Sequence, residues 1–194
     1  LRFGLNCRID RNGNNIIDFD KKELLHLIKI IKEEKVESVA ICFLFSFLNP
    51  LHEEQVRDEL FNKLDGIDVV LSSEIMREFR EFPRVSTTAF AAYVAPILRD
   101  YISNLLESLK SNGIDSPLYV FQSNGGVAEP EIIMRNPALT LLSGPAGAVV
   151  GAKYYCQEAG YNNLITMDIG GTSLDICLIN NLQAQITSNR EIDM

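Results

Sequence analysis

The sequence is short of basic charge, and its longest apolar run is brief. Eighteen Lys and Arg face 26 Asp and Glu, giving a formal net charge of −8 and an isoelectric point near 4.8. The Lys and Arg are nowhere clustered, which excludes nucleic acid and anionic membrane surfaces as partners, since both need a basic face. Small molecules and other proteins are the expected partners. The longest apolar run, Val39 to Leu48, spans only ten residues and contains Ser46. That is about half of what a bilayer-crossing helix requires, and no basic-then-apolar targeting segment opens the chain. The four cysteines, Cys7, Cys42, Cys156 and Cys177, have no pairwise ligand spacing, which argues against a structural zinc site. Cys42 and Cys177 lie in apolar, strand-like runs and read as small core residues, so a reduced, cytoplasmic protein is expected. There are two histidines. His26 falls off the apolar face of its helix and reads as solvated; His52 lies in a first helical turn and reads as a helix-end residue without chemistry.

At 194 residues and 46% hydrophobic content, the chain can bury the core of one large domain or two small ones. It begins at Leu1 and stops at Met194 after a strand-like segment, as expected of a piece of a longer polypeptide. Residues Leu1 to Asp18 alternate weakly around Arg11-Asn12-Gly13-Asn14, predicting a short hairpin. Asp20 is placed to cap a helix with Glu23 as its reciprocal partner, and Leu24, Leu27, Ile28 and Ile31 give that helix one apolar face. Ser38 to Phe45 predicts a strand covered on both faces. Asn49 and Pro50 start a second helix, and Asp68 to Leu71 predicts a second strand, which completes a strand–helix–strand unit. Glu74 to Arg84 has charges of mixed sign and reads as a solvated connection ending near Pro83. A long helical pattern runs from Val85 to Lys110 with Pro96 inside it, predicting a kink or two helices meeting.

Pro117 to Phe121 predicts a strand leading into Gln122-Ser123-Asn124-Gly125-Gly126. This stretch fits a ligand-gathering loop at a strand end as well as it fits a plain turn. In Leu141 to Ala148, Ser143 or Gly144 can cap a helix with Pro145 in its first turn, whose free N–H groups suit a phosphate. Gly147, Ala148, Gly151 and Ala152 give that helix a face of small side chains, open to a close crossing.

The chain is organised around LITMDIGGTSLD, residues 164 to 175. An apolar strand runs into Asp168, then Gly170 and Gly171, then Thr172, Ser173 and Asp175. Glycines can take positive φ at little cost and leave room for phosphate against backbone N–H groups. A carboxylate at the strand tip suits Mg²⁺, which takes one or two carboxylates together with phosphate oxygens. By itself the Gly-Gly pair fits a hairpin turn equally well. Asn180-Asn181 predicts the next turn, with a third strand from Leu182 to Thr187.

Three segments, FLFSFLNPLHE at 43–53, LLSGPAGAVVGA at 141–152 and MDIGGTSLD at 167–175, resemble the A subunit of the hydantoinase/oxoprolinase family, within the superfamily of actin, sugar kinases and heat-shock chaperone ATPases. QSNGG at 122–126 and EFREFPRVSTT at 78–88 fit as well. The resemblance implies an α/β fold of ribonuclease-H-like, actin-like ATPase halves, this chain holding the end of the first and the start of the second. It makes residues 1–84 the later part of the family's N-terminal region, and residues 85–194 the start of the core domain, with its phosphate-binding hairpin. The family's first hairpin, an acidic-Gly-Gly-Thr turn, is not in this sequence, so the resemblance implies half of a nucleotide site. Leu174 stands where the family has threonine and Ala148 where a glycine is usual.

The implied activity is ATP-dependent opening of a cyclic amide, a hydantoin or 5-oxoproline, in which ATP phosphorylates the amide oxygen so that water can displace it. The resemblance gives Asp168 to Mg²⁺, and Gly170, Gly171, Thr172 and Ser173 to phosphate. Asp175 would support the turn or polarise water, and Ser143 and Gly144 would line the cleft. Gln122, Ser123 and Asn124 would lie on the substrate side. A B-type subunit or fused domain is the implied partner. Two alternatives share these motifs: a carboxylase subunit of the acetone-carboxylase type, and a non-catalytic nucleotide-binding module.

Overall fold

The computed structural model describes residues 1–171 and 173–184. The chain forms two compact units, one of residues 1–118 with 130–138, the other of residues 119–129 with those from 139 onward.

In the first unit, β1 (Arg8–Ile9) and β2 (Asn15–Ile17) form the expected hairpin. Its turn is held by Asp10, whose Oδ1 accepts from the N–H groups of Asn12 and Asn14, each at 2.8 Å. The bond from Asn14 is the main reason the Asp10 carboxyl lies below its ordinary range. α1 (Lys21–Glu33) begins at Asp20, whose side chain accepts from Lys22 N–H at 2.8 Å. The reciprocal half of the box is replaced: Glu23 accepts from Asn6 N–H instead.

β3 (Ser38–Ile41), α2 (Leu51–Lys63) and β4 (Asp68–Leu71) make the strand–helix–strand unit, with the strands parallel and Ile41 opposite Leu71. One apolar cluster joins Leu24, Ile28 and Ile31 of α1, Val56 and Leu60 of α2, and Ile41 and Leu71 of the sheet. A second sets Val70 against Ala91, Ala92 and Ala95. Both faces of the pair are therefore covered, as all-parallel sheets require. β3 is shorter than the predicted Ser38–Phe45: β4 ends at Leu71, and beyond Ile41 the chain leaves the ladder and turns back through Phe45, whose φ is +61°.

After α3 (Ser72–Ile75), α4 runs unbroken from Glu81 to Ser111 through Pro96, one helix rather than two. It starts four residues before the predicted Val85, because Pro83 falls in the first turn, where no N–H donor is needed. Arg84, expected in a solvated connection, is fully buried. α5 (Pro130–Arg135) packs on α4. Among the described residues no helix is long and apolar enough to cross a membrane.

In the second unit, β5 (Val120–Phe121) and β6 (Val127–Ala128) form a two-stranded hairpin, shorter than predicted. α6 (Ser143–Glu158) contacts β5 and also β7 (Leu164–Ile169) and β8 (Leu174–Asn180), which with β9 (Gln183–Ala184) form an antiparallel meander. The last turn is one residue later than predicted. Asn180 pairs with Gln183, and Asn181 and Leu182 take φ of 49° and 59°, the left-handed pair that matches strand twist. Their N–H groups donate to Asn163 Oδ1 and Asn162 O, each at 2.8 Å, which holds Leu182 in a conformation it would not choose. Residues 185–187 of the predicted strand lie outside the described residues.

Candidate functional site

Asp168 is the fifth residue of β7, and Asp175 the second of β8, and they are direct cross-strand partners. Partners in an antiparallel register point to the same face, with Cβ atoms about 5 Å apart. The carboxylates therefore stand side by side, Asp168 exposed and Asp175 half-buried. Two like charges so placed repel unless a cation sits between them. Among the described residues no group of three or more His, Cys, Asp or Glu could hold a metal, so the donor set is one that completes its shell with phosphate oxygens and water, as Mg²⁺ does.

The turn is closed by Gly170 N–H donating to Ser173 O at 2.9 Å. The expectation that Gly170 and Gly171 use positive φ is corrected here, since neither lies in the left-handed region. What they provide is space. A Cβ at Gly170 would come within 3.6 Å of Ser173 Oγ, whereas one at Gly171 would meet nothing within 4 Å. An open concavity beside paired carboxylates fits a metal-bound phosphate. Thr172 lies outside the described residues.

Ser143 and Gly144 are the first two residues of α6, but neither caps it. The N-cap is Leu142, at φ +60° with no side-chain hydrogen bond, so the first-turn N–H groups are not answered by a capping side chain. Ser143 is half-buried, and Gly144 is exposed with open space around it. The sixteen-residue α6 rises about 24 Å and the six-residue β7 about 20 Å, and they contact each other across a connection of only residues 159–163. That short return runs β7 back along α6, so the Asp168 end of the hairpin lies toward the end of α6 that carries Ser143 and Gly144.

Gln122, Ser123 and Asn124 occupy the β5–β6 turn. Gln122 N–H donates to Gly126 O at 2.8 Å, Ser123 N–H to Leu139 O at 2.7 Å, and Asn124 Oδ1 accepts from Gly126 N–H at 2.8 Å. The small face of α6 explains how this hairpin seats. At Gly147 a Cβ would lie 3.5 Å from the Phe121 ring, and at Gly125, with φ +84°, it would meet Val150 Cγ2 at 3.1 Å. The close crossing foreseen for this helix is thus made at Gly147, whereas Gly151 faces open space.

Sequence reasoning missed a second constellation, in the first unit. Glu53 is fully buried, its Oε1 accepting from Phe43 N–H at 2.9 Å and Ser72 Oγ at 2.6 Å, and its Oε2 from Ser73 N–H at 2.9 Å. Arg84, also fully buried, donates to Phe43 O at 2.8 Å and Glu78 O at 3.1 Å, and its guanidinium lies over the Phe47 ring. His52 is corrected as well. Its ring is 1% exposed, edge-on to Phe19, with Nε2 3.5 Å from Asp18 Oδ1. Asp18 is held below the ordinary carboxylate range by Asn15 first and His52 second. Charged residues within an otherwise apolar motif, FLFSFLNPLHE, were the only available signal.

The hydantoinase/oxoprolinase family model matches residues 84–194, and the model of that family's N-terminal region matches residues 1–64. The chain belongs to the hydantoinase/oxoprolinase family. It is 35% identical to the caprolactamase alpha subunit of Pseudomonas jessenii over 92% of this chain and 26% of that one. To the 5-oxoprolinase of Saccharomyces cerevisiae it is 30% identical, over 81% of this chain and 12% of that one. The solved nucleotide-free structure of acetone carboxylase, described in terms of ATP-dependent acetone carboxylation, superposes with a TM-score of 0.84 at 28% identity, covering 97% of this chain and 27% of that chain. The chain thus spans about a quarter or less of the relatives it matches.

Proposed function

We propose that this chain carries the second phosphate-binding hairpin of a cytoplasmic, ATP-dependent cyclic-amide hydrolase, built on actin-like ATPase halves that divide near residue 84. The observation that carries the proposal is the direct pairing of Asp168 with Asp175 across an open glycine turn. The 5-oxoprolinase and caprolactamase relatives, whose printed names denote cyclic-amide substrates, support the substrate class. When bound, ATP supplies the phosphoryl group that activates the amide oxygen, and Mg²⁺ neutralises phosphate charge. Asp168 holds the metal or its water, and Gly170, Gly171, Thr172 and Ser173 receive phosphate oxygens. Asp175 supports the turn and orients water, and the first turn of α6 at Ser143 and Gly144 lines the cleft. Gln122, Ser123 and Asn124 lie on the substrate side. Positioning and charge neutralisation are the whole contribution asked of these groups. Several relatives are named as subunits, which supports a partner subunit.

The test uses the full-length protein with its partner subunit, assayed for phosphate release from ATP with hydantoin, a lactam and 5-oxoproline. Asp168→Asn is expected to lower turnover at least about a hundredfold, the loss typical of removing one electrostatic stabiliser. Retained turnover would remove Asp168 from its role. A second reading, a carboxylase of the acetone type, is favoured by the structural match. It gains if phosphate release depends on bicarbonate and a ketone rather than on a cyclic amide. ATP binding without turnover under any of these conditions would favour the non-catalytic module.

A further inference from the structure

Phe43 has both its backbone groups held by buried charged side chains. Its N–H donates to Glu53 and its C=O accepts from Arg84. Glu53 and Arg84 are themselves fully buried and come from different helices. Burying two charged groups is unfavourable by several kcal/mol each unless hydrogen bonds offset it, and a well-packed apolar pair would stabilise the fold at least as well. What the two achieve is geometric. Glu53 ties the segment after β3 to the segment after β4 through Ser72 and Ser73, and Ser46 Oγ lies 3.1 Å from Ser72 Oγ. Arg84 ties the same segment to Glu78 in the connection before α4. All three connections lie at the carboxyl edge of the parallel β3–β4 pair, where open α/β sheets bind ligands.

Inside this clamp Phe45 is held at φ +61°, a conformation rare for a bulky side chain and one that persists only where the surroundings impose it. One guanidinium reaches both the Phe43 and the Glu78 carbonyls, so the residues that follow them, Leu44 and Phe79, flank the same junction. They are 50% and 68% exposed, an apolar lip on a rigidly held edge.

We propose that this lip binds the carbon substrate, with Leu44 and Phe79 touching the apolar edge of its ring and Glu53 and Arg84 as positioning residues that hold the lip. The inference rests on the cyclic-amide reading above, and the experiment separates the two. In the full-length protein with its partner subunit, Leu44→Ala and Phe79→Ala are expected to raise KM for the cyclic amide by about tenfold, the effect of losing apolar contact in a substrate pocket, while KM for ATP stays unchanged. Glu53→Gln, which keeps an acceptor, is expected to retain more of the affinity than Glu53→Ala. A parallel rise in both KM values, or in neither, would overturn the lip. Hydrogen exchange supplies a readout independent of turnover: peptides covering 42–49 and 76–80 are expected to gain protection when the cyclic amide is added. Protection by a ketone alone would keep the lip and sink the cyclic-amide reading; protection by neither would sink the lip.

Discussion

At the residue scale, the clearest energetic expense is the burial of Glu53 and Arg84. Five hydrogen bonds, three to the carboxylate and two from the guanidinium, stand in for the water each group has lost. The field of Glu53 reaches further. Burial first, then the charges of Glu23 and Glu53, push the Cys7 thiol up to about 11 from 9.0. A thiol whose pKa is raised in the folded state stays protonated there while the unfolded chain has already ionised. Its contribution to stability is therefore fully present below about pH 9 and is lost as the pH rises toward about 11. The urea midpoint should fall more steeply between those pH values in the natural sequence than in Cys7→Ser. Equal slopes would show that Cys7 titrates normally.

At the element scale, α4 is the most heavily constrained piece of the first unit. Ala91, Ala92 and Ala95 let it lie close on β4, and Arg84 and Thr88 bury polar groups on the same helix, Thr88 Oγ1 donating to Arg84 O at 2.6 Å. Pro96 sits within this packing and forfeits one helical hydrogen bond. An interior proline is about 3 kcal/mol less favourable than alanine, and about 1 kcal/mol returns through restriction of the unfolded chain. Pro96→Ala is thus expected to stabilise the protein by about 2 kcal/mol, read from chemical unfolding. A loss of stability would mean that the helix needs its proline for shape.

At the scale of the whole molecule, the meander of the second unit has two unlike faces. Register places Ile165 with Leu178, Met167 with Ile176 and Ile169 with Leu174 on one face, all six between 48% and 71% exposed. The other face carries Asp168, Asp175 and the fully buried Ile179. An apolar patch of this extent marks a surface that other protein covers. The 194-residue chain on its own should bind a hydrophobic dye such as ANS, and Met167→Lys with Ile176→Glu should abolish most of that signal. Undiminished binding would place the exposed apolar surface elsewhere.

What the sequence determined is what neighbours along the chain can decide: the Asp10 and Asp20 turns and caps, the apolar stripe of α1, the strand–helix–strand order, and the Asp168 to Asp175 hairpin. Period and turn chemistry act over a few residues and survive without the rest of the fold. Tertiary structure decided the rest. β3 stops at Ile41 because β4 offers no further partner. Leu142, Leu182 and Phe45 are left-handed because their surroundings hold them there. Glu53 and Arg84 went unrecognised because their partners lie 10, 19, 20 and 41 residues away. A charge in an apolar motif looks solvated until the chain closes around it, and only that closure supplies the hydrogen bonds that let it be buried.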